Sequence, residues 1–281
     1  MRTIDGRAHA AAISAVVATD ADRLRSTGIV PRLAVVVPTD DEGTAWYVRN
    51  IARVAVKVGV DCVVDNMVGA DVGAITQRLA ALSDDPDVHG IICQAPLPAG
   101  LSLAVAGAFI DPAKDVDGAN PTSLGRLAAG IDAYPPATAA AVMEILRRED
   151  VPLRGARAVV IGRSTVVGKP LALLLIAADA TVTVCHSRTV DLPRVAATAD
   201  VLVAAVGRAA LVTADYIKPG AVVVDVGTNP TPDGGLVGDV DPTGAANAAA
   251  LTPVPGGVGP VTTAMLLRAT VSAAALRSSL A

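Results

Sequence analysis

In the second half of this 281-residue chain, apolar residues fall in short unbroken runs rather than in alternation. The segments RAVVIG (157–162), ATVTVCH (180–186), DVLVAAVG (200–207) and GAVVVDVG (220–227) are rich in β-branched residues, and each ends on a glycine or a polar residue. Helix-like stretches such as KPLALLLIAAD (169–179) and DLPRVAATA (191–199) separate them. Strands buried on both faces read as continuous hydrophobic runs, so the pattern predicts a parallel sheet covered on both sides and wound through right-handed crossovers. The first half carries a looser version. PRLAVVVP (31–38), DCVVDNMV (61–68) and VHGIICQAPLP (88–98) predict strands, while TAWYVRNIARVAVKVG (44–59), closed by Gly59, and VGAITQRLAALSDD (72–85) predict helices. Two prolines in AYPPATA (133–139), just ahead of the helix-like AAAVMEILRRE, suit a domain crossing. The expected fold class is therefore α/β. It consists of two α/β domains, the second a doubly wound, Rossmann-type parallel sheet, with a cleft between them. Residues 1–136 plus 262–281 are expected to form one domain and residues 137–261 the other.

Composition narrows the classes of function. Hydrophobic residues make up 52% and charged residues 18%, enough for a sizeable core and too apolar for disorder. Uninterrupted apolar stretches such as 171–178 stop well short of the ~20 residues that span a bilayer. The opening MRTIDGRAHA lacks the apolar run of a secretory signal, so no membrane partner and a cytoplasmic location are expected. A net charge of −4 without a basic block argues against nucleic acid as a partner. Cys62, Cys93 and Cys185 form no CxxC pair, and His9, His89 and His186 are scattered, so reduced thiols and no metal site are expected.

Candidate chemistry starts at VVIGRSTVVGKP (159–170), where a strand runs into Gly162, Arg163 and Ser164 and then Gly168. Glycines there let backbone approach a pyrophosphate while the following helix presents free N–H groups. The spacing departs from GxGxxG, and a plain strand–helix turn is the competing reading. After the second run, where an NAD-selective site places a carboxylate for the ribose 2′-hydroxyl, the chain reads His186-Ser187-Arg188-Thr189. Hydroxyls and a guanidinium suit a 2′-phosphate instead, so Ser187 and Arg188, with Arg163, predict NADP. Gly207, ending the third run, belongs to the same expected cofactor site.

Three further stretches are hard to explain as scaffold: CQAPLP (93–98), DPAKDVDG (111–118) and PVPGGVGP (253–260). Together with Tyr47-Val48 and the glycine loop they resemble the methylenetetrahydrofolate dehydrogenase/cyclohydrolase family, over roughly residues 30–270. The resemblance implies oxidation of 5,10-methylene-tetrahydrofolate by NADP⁺, then hydrolysis to 10-formyl-tetrahydrofolate. It also implies a folate-binding first domain, an NADP-binding second domain and a homodimer formed through the latter. The family's tyrosine, glutamine and aspartate fall on Tyr47, Gln94 and Asp117, the expected catalytic and substrate-binding residues. Its proline–glycine loop falls on Pro255, Gly256 and Gly257, and its nicotinamide contact on Thr228. Asp117 can accept paired N–H bonds from the pterin, Tyr47 can stack and present a hydroxyl, and Gln94 can orient that hydroxyl or a water.

The chain departs from the family at two places. The family lysine four residues after the tyrosine is Ile51, and Cys-Thr-Pro is replaced by Pro136-Ala137-Thr138. At ~100° per residue, Arg49 and Arg53 point away from Tyr47 on a regular helix. Either hydrolysis is weak or lost, or a cation fills the gap, Arg53 reaching round the helix edge or one from elsewhere. The alternatives are a dehydrogenase without efficient cyclohydrolase and a non-catalytic nucleotide-binding regulator.

Overall fold

The structure is a computed structural model that describes residues 1–278. In chain order its strands are β1 (Arg2–Thr3), β2 (Arg32–Val37), β3 (Asp61–Asn66), β4 (Gly90–Cys93), β5 (Arg157–Ile161), β6 (Thr181–Cys185), β7 (Val201–Ala204), β8 (Val222–Asp225), β9 (Asn229–Pro230), β10 (Leu236–Val237) and β11 (Ala250–Leu251). The helices are α1 (Gly6–Ser26), α2 (Glu42–Lys57), α3 (Val72–Asp84), α4 (Leu103–Gly107), α5 (Pro121–Ala128), α6 (Ala137–Arg148), α7 (Gly168–Ala177), α8 (Leu192–Ala196) and α9 (Val258–Ser278).

The chain divides into two compact bodies, one of Met1–Ala10 with Thr138–Thr262, the other of Ala11–Ala137 with Thr263 onward. The first contains a parallel sheet in the order β1-β11-β8-β7-β5-β6, with a short antiparallel β9–β10 hairpin beside it. Its central strands are apolar because both faces are covered. Val159, Ile161, Leu202 and Val223 pack with Ala196, Val212 and Val240 in one core. Edge strand β6 is exposed over much of its length, and its Thr181 and Thr183 face water.

The sequence reading put residues 1–10 with the first domain, but β1 pairs parallel with β11, Arg2 opposite Ala250 and Thr3 opposite Leu251. Without β1, β11 would be the open edge of a sheet; pairing satisfies its backbone groups and seals Ile4, which is fully buried.

The second body is built on the parallel sheet β3-β2-β4. An Arg32–Asp61 ion pair of 2.7 Å marks the start of the β2–β3 register. Ala34, Val36, Ile91 and Cys93 pack against Ile75, Leu79 and Leu82 of α3. The long terminal helix changes one expectation. Val258–Arg277 is long and apolar enough to cross a bilayer by length and composition, but 67% of its most apolar window is buried, as in a core helix.

Candidate active site

Tyr47 stands in the second turn of α2. Asp41 caps that helix by accepting from Thr44 N at 2.7 Å, and Thr44 Oγ1 donates to Ala95 O at 2.9 Å. This second bond ties the helix start to the loop after β4. Gln94 opens that loop, its own N–H held by Val36 O at 2.9 Å. The Gln94 amide side chain has no hydrogen-bond partner among the described residues, which leaves both its donor and its acceptor for a ligand.

Asp117 belongs to a loop fixed by its neighbours. The Lys114 ammonium is buried, and it donates to Asp85 O at 2.6 Å at the end of α3. Asp115, fully buried, accepts from Ala119 N, Asn120 N and Ser123 Oγ at 2.6–2.9 Å. Those bonds identify Asp115 as a brace for the loop. Asp117 Oδ1 accepts from Ala137 N at 3.1 Å, and its second oxygen remains available. Loss of water around the half-buried Asp117 pushes its carboxyl up to about 6, and the Ala137 N–H opposes the rise. Tyr47 lies within electrostatic reach of Asp117; burial and that carboxylate push the phenol above its ordinary value, so it stays a neutral donor through the working pH range.

Ile51, one turn on from Tyr47, is fully buried and shares the buried face of α2 with Val48 and Ala55. Arg53 is exposed and donates to Asn50 Oδ1 at 2.7 Å, and Arg49 is exposed, so neither takes the place of the family lysine.

The cofactor candidates occupy the carboxyl ends of the strands in the other body. β5 lies between β6 and β7, so successive crossovers from it leave in opposite directions, the topological switch point where open α/β sheets bind ligands. Gly162 follows β5 with φ +130°, and a Cβ there would strike Ala205 O, which follows β7. A Cβ at Gly168 would likewise strike Gly162 O. Only glycine fits this cradle, and the narrow turn fits a pyrophosphate approach to α7. Ser164 Oγ accepts from Val167 N at 3.1 Å, helping to shape that turn. After β6, His186 N donates to Thr189 Oγ1 and Arg188 N donates to His186 Nδ1, at 2.9 and 3.1 Å. The turn closes on itself and leaves the Ser187 and Arg188 side chains exposed, as is Arg163.

Sequence reasoning missed Asp239. This carboxylate accepts from Val206 N, Gly207 N, Arg208 N and Asn229 Nδ2 at 2.6–3.0 Å, so one group holds the loops after β7 and β8. Asp225 in turn accepts from Gly227 N, Asp239 N and Val240 N, each at 2.9 Å. Exposed Thr228 lies within this braced segment. In the PVPGGVGP loop Gly256 takes φ +109°, and a Cβ at Gly257 would meet Pro253 O at 2.6 Å, so this glycine is required by packing.

The tetrahydrofolate dehydrogenase/cyclohydrolase catalytic domain matches residues 4–117, and the NAD(P)-binding domain of the same family matches residues 136–278. The chain belongs to this family. It is 62% identical over 275 residues to the bifunctional protein FolD of a Parafrankia species, covering 98% of this chain and 99% of that one. Among solved structures it is similar to the bifunctional FolD methylenetetrahydrofolate dehydrogenase/cyclohydrolase of Campylobacter jejuni, with TM-score 0.95, 37% identity and 99% of each chain covered. It is also similar to the Trypanosoma brucei FolD, solved with NADP cofactor and an inhibitor, with TM-score 0.93, 37% identity and 99% and 98% covered. The two-domain α/β fold with a Rossmann-type sheet is thus the fold of the family.

Proposed function

We propose that Tyr47, Gln94 and Asp117 form the folate site of an NADP-dependent enzyme. The enzyme oxidises 5,10-methylene-tetrahydrofolate to the methenyl form and hydrolyses that to 10-formyl-tetrahydrofolate. Membership of the bifunctional family favours both activities over a dehydrogenase alone or a non-catalytic binder. The observation that carries the site assignment is a free Gln94 amide in the same body as an electrostatically linked Tyr47–Asp117 pair.

NADP⁺, when bound, accepts the hydride that leaves the methylene carbon. Gly162, Ser164 and Gly168 would hold its pyrophosphate, Ser187, Arg188 and Arg163 its 2′-phosphate, and Gly207 and Thr228 the nicotinamide end. Asp117 accepts paired N–H bonds from the pterin and fixes the ring. Tyr47 stacks on the folate and presents its O–H at the reacting carbon. In hydrolysis Gln94 orients a water for addition to the methenyl carbon. The C–N5 bond then breaks, N5 keeps a proton, and one proton is released to solvent. Both half-reactions are followed by absorbance on one preparation. Hydride transfer with NADP⁺ and hydrolysis of the methenyl compound are both expected; absence of either removes that half of the reading.

The same reading places the enzyme in the cytoplasm as a homodimer. Exposed Val184 on edge strand β6 and Val190 just beyond it, 87% exposed, offer an apolar border on the cofactor body. Light scattering at micromolar concentration tests the dimer, and a mass of one chain rejects it.

A further inference from the structure

Three threonines of α9 are buried. Thr262 and Thr270 return their hydroxyls to the carbonyl four residues back, Val258 O at 3.2 Å and Leu266 O at 3.0 Å. This is the usual refuge of a threonine inside a helix. Thr263 does not take it. The residue is 2% exposed, and its Oγ1 is buried with no hydrogen-bond partner among the described residues. It faces the Tyr47 phenol, near enough to act against the rise in the tyrosine's pKa without closing a short hydrogen bond. An unsatisfied buried hydroxyl costs stability, and valine would fill the same space without that cost. The chain thus keeps a destabilising hydroxyl beside the proposed catalytic tyrosine, while the helical neighbour of that tyrosine, Ile51, offers no polar atom.

From this arrangement we infer that Thr263 is the positioning residue for Tyr47: unpaired in the free protein, it donates its hydroxyl proton to Tyr47 Oη once the folate is bound, directly or through one water, so that the phenol's own O–H turns toward the substrate. The inference rests on the assignment of Tyr47 to the folate site. Thr263 touches neither substrate nor cofactor in this account; it acts through the tyrosine. The demand on the tyrosine is greater in hydrolysis, where a water must be placed, than in hydride transfer, where orientation of the two ligands suffices.

Thr263→Val and Thr263→Ser, with Tyr47→Phe as reference, provide the test. In Thr263→Val the kcat of methenyl hydrolysis falls roughly 5–10-fold, the loss of one hydrogen bond, and falls further than the kcat of hydride transfer. KM for the folate stays within about twofold, since a hydroxyl that holds only the tyrosine adds little to ground-state binding. Thr263→Ser restores the hydrolytic rate. The melting temperature of Thr263→Val equals or exceeds that of the parent, which separates positioning from a structural role. If Tyr47→Phe loses hydrolysis while Thr263→Val matches the parent, the inference about Thr263 is wrong and the site stands. If Tyr47→Phe itself hydrolyses at the parental rate, the tyrosine assignment fails first. If Thr263→Val lowers both activities together with the melting temperature, the residue is structural and the inference is overturned.

Discussion

Asp117→Asn separates the electrostatic cost of the proposed folate-binding carboxylate from its use. The substitution keeps the shape and an oxygen to accept from Ala137 N. Loss of hydration raises the folded carboxyl from 3.8 to about 6. At 1.36 kcal/mol per pH unit, that is about 3 kcal/mol against the charged form if water were fully excluded. Because the side chain is only half-buried, screening reduces this to about 1–2 kcal/mol. The sign follows from linkage. Below pH 3.8 both folded and unfolded chains hold the proton, so the penalty is absent. As pH rises toward about 6 the unfolded chain loses its proton first and stability falls; above that the full penalty applies. Asp117→Asn therefore melts roughly 2–8 °C higher than the parent at pH 8, and the gain disappears near pH 4. In the same variant kcat/KM for the folate falls about 10–100-fold, because the amide cannot supply two charge-assisted acceptors. Thermal melts at the two pH values and initial rates by absorbance are the assays. A stability gain of the same size at both pH values would refute the desolvation argument, and an unchanged kcat/KM would take Asp117 out of the folate site.

In the parent, KM for the folate climbs as pH drops through about 6, where Asp117 takes up its proton; a flat profile between pH 5 and 8 contradicts this. Arg188→Glu places a carboxylate where the 2′-phosphate is expected, so kcat/KM with NADP⁺ drops about 10–100-fold while that with NAD⁺ is spared; parallel losses would argue against the 2′-phosphate assignment. Asp239→Ala strands the four donors held by this carboxylate, lowering stability by about 2–4 kcal/mol and raising KM for NADP⁺ more than KM for folate; calorimetry and steady-state rates check both. Ile51→Lys puts an amine into a sealed position. It lowers the melting temperature by several degrees and raises hydrolysis relative to hydride transfer, and no drop in melting temperature would mean that the amine reaches water.

What could be read from the chain alone follows its physics. Continuous runs such as 157–161 and 201–204 are strands buried on both faces, and the period-2 signal is absent for that reason. Glycines forced by contact, Gly162 above all, punctuated the sequence where the cofactor loop turns. Tyr47, Gln94 and Asp117 stand out in the chain through their resemblance to the family's motifs rather than through any local periodicity, and their place in the folate site is a proposal. The missing pieces lacked local signals. β1 and β11 are two-residue strands whose pairing spans the chain, so no window contains both. Helix α1 buries Ile13, Val17, Ala21 and Leu24, but the surrounding alanines and valines blur the stripe. Asp239 looks like any turn aspartate until the four N–H donors around it are counted. Thr263 is visible only in three dimensions, since its neighbour Thr262 is the same residue type with its hydroxyl bonded to the helix backbone.

The β1–β11 pairing has a consequence for biosynthesis. Arg2 and Thr3 leave the ribosome about 250 residues ahead of their partners Ala250 and Leu251. At about 5–20 residues per second, the start of the chain waits roughly 12–50 s before it can dock. Until then Ile4 is exposed and the dinucleotide half lacks its edge strand. A substitution at Arg2, Thr3 or Ile4 therefore acts on the last-completed part of the cofactor sheet, although by position it looks like a change to the folate half.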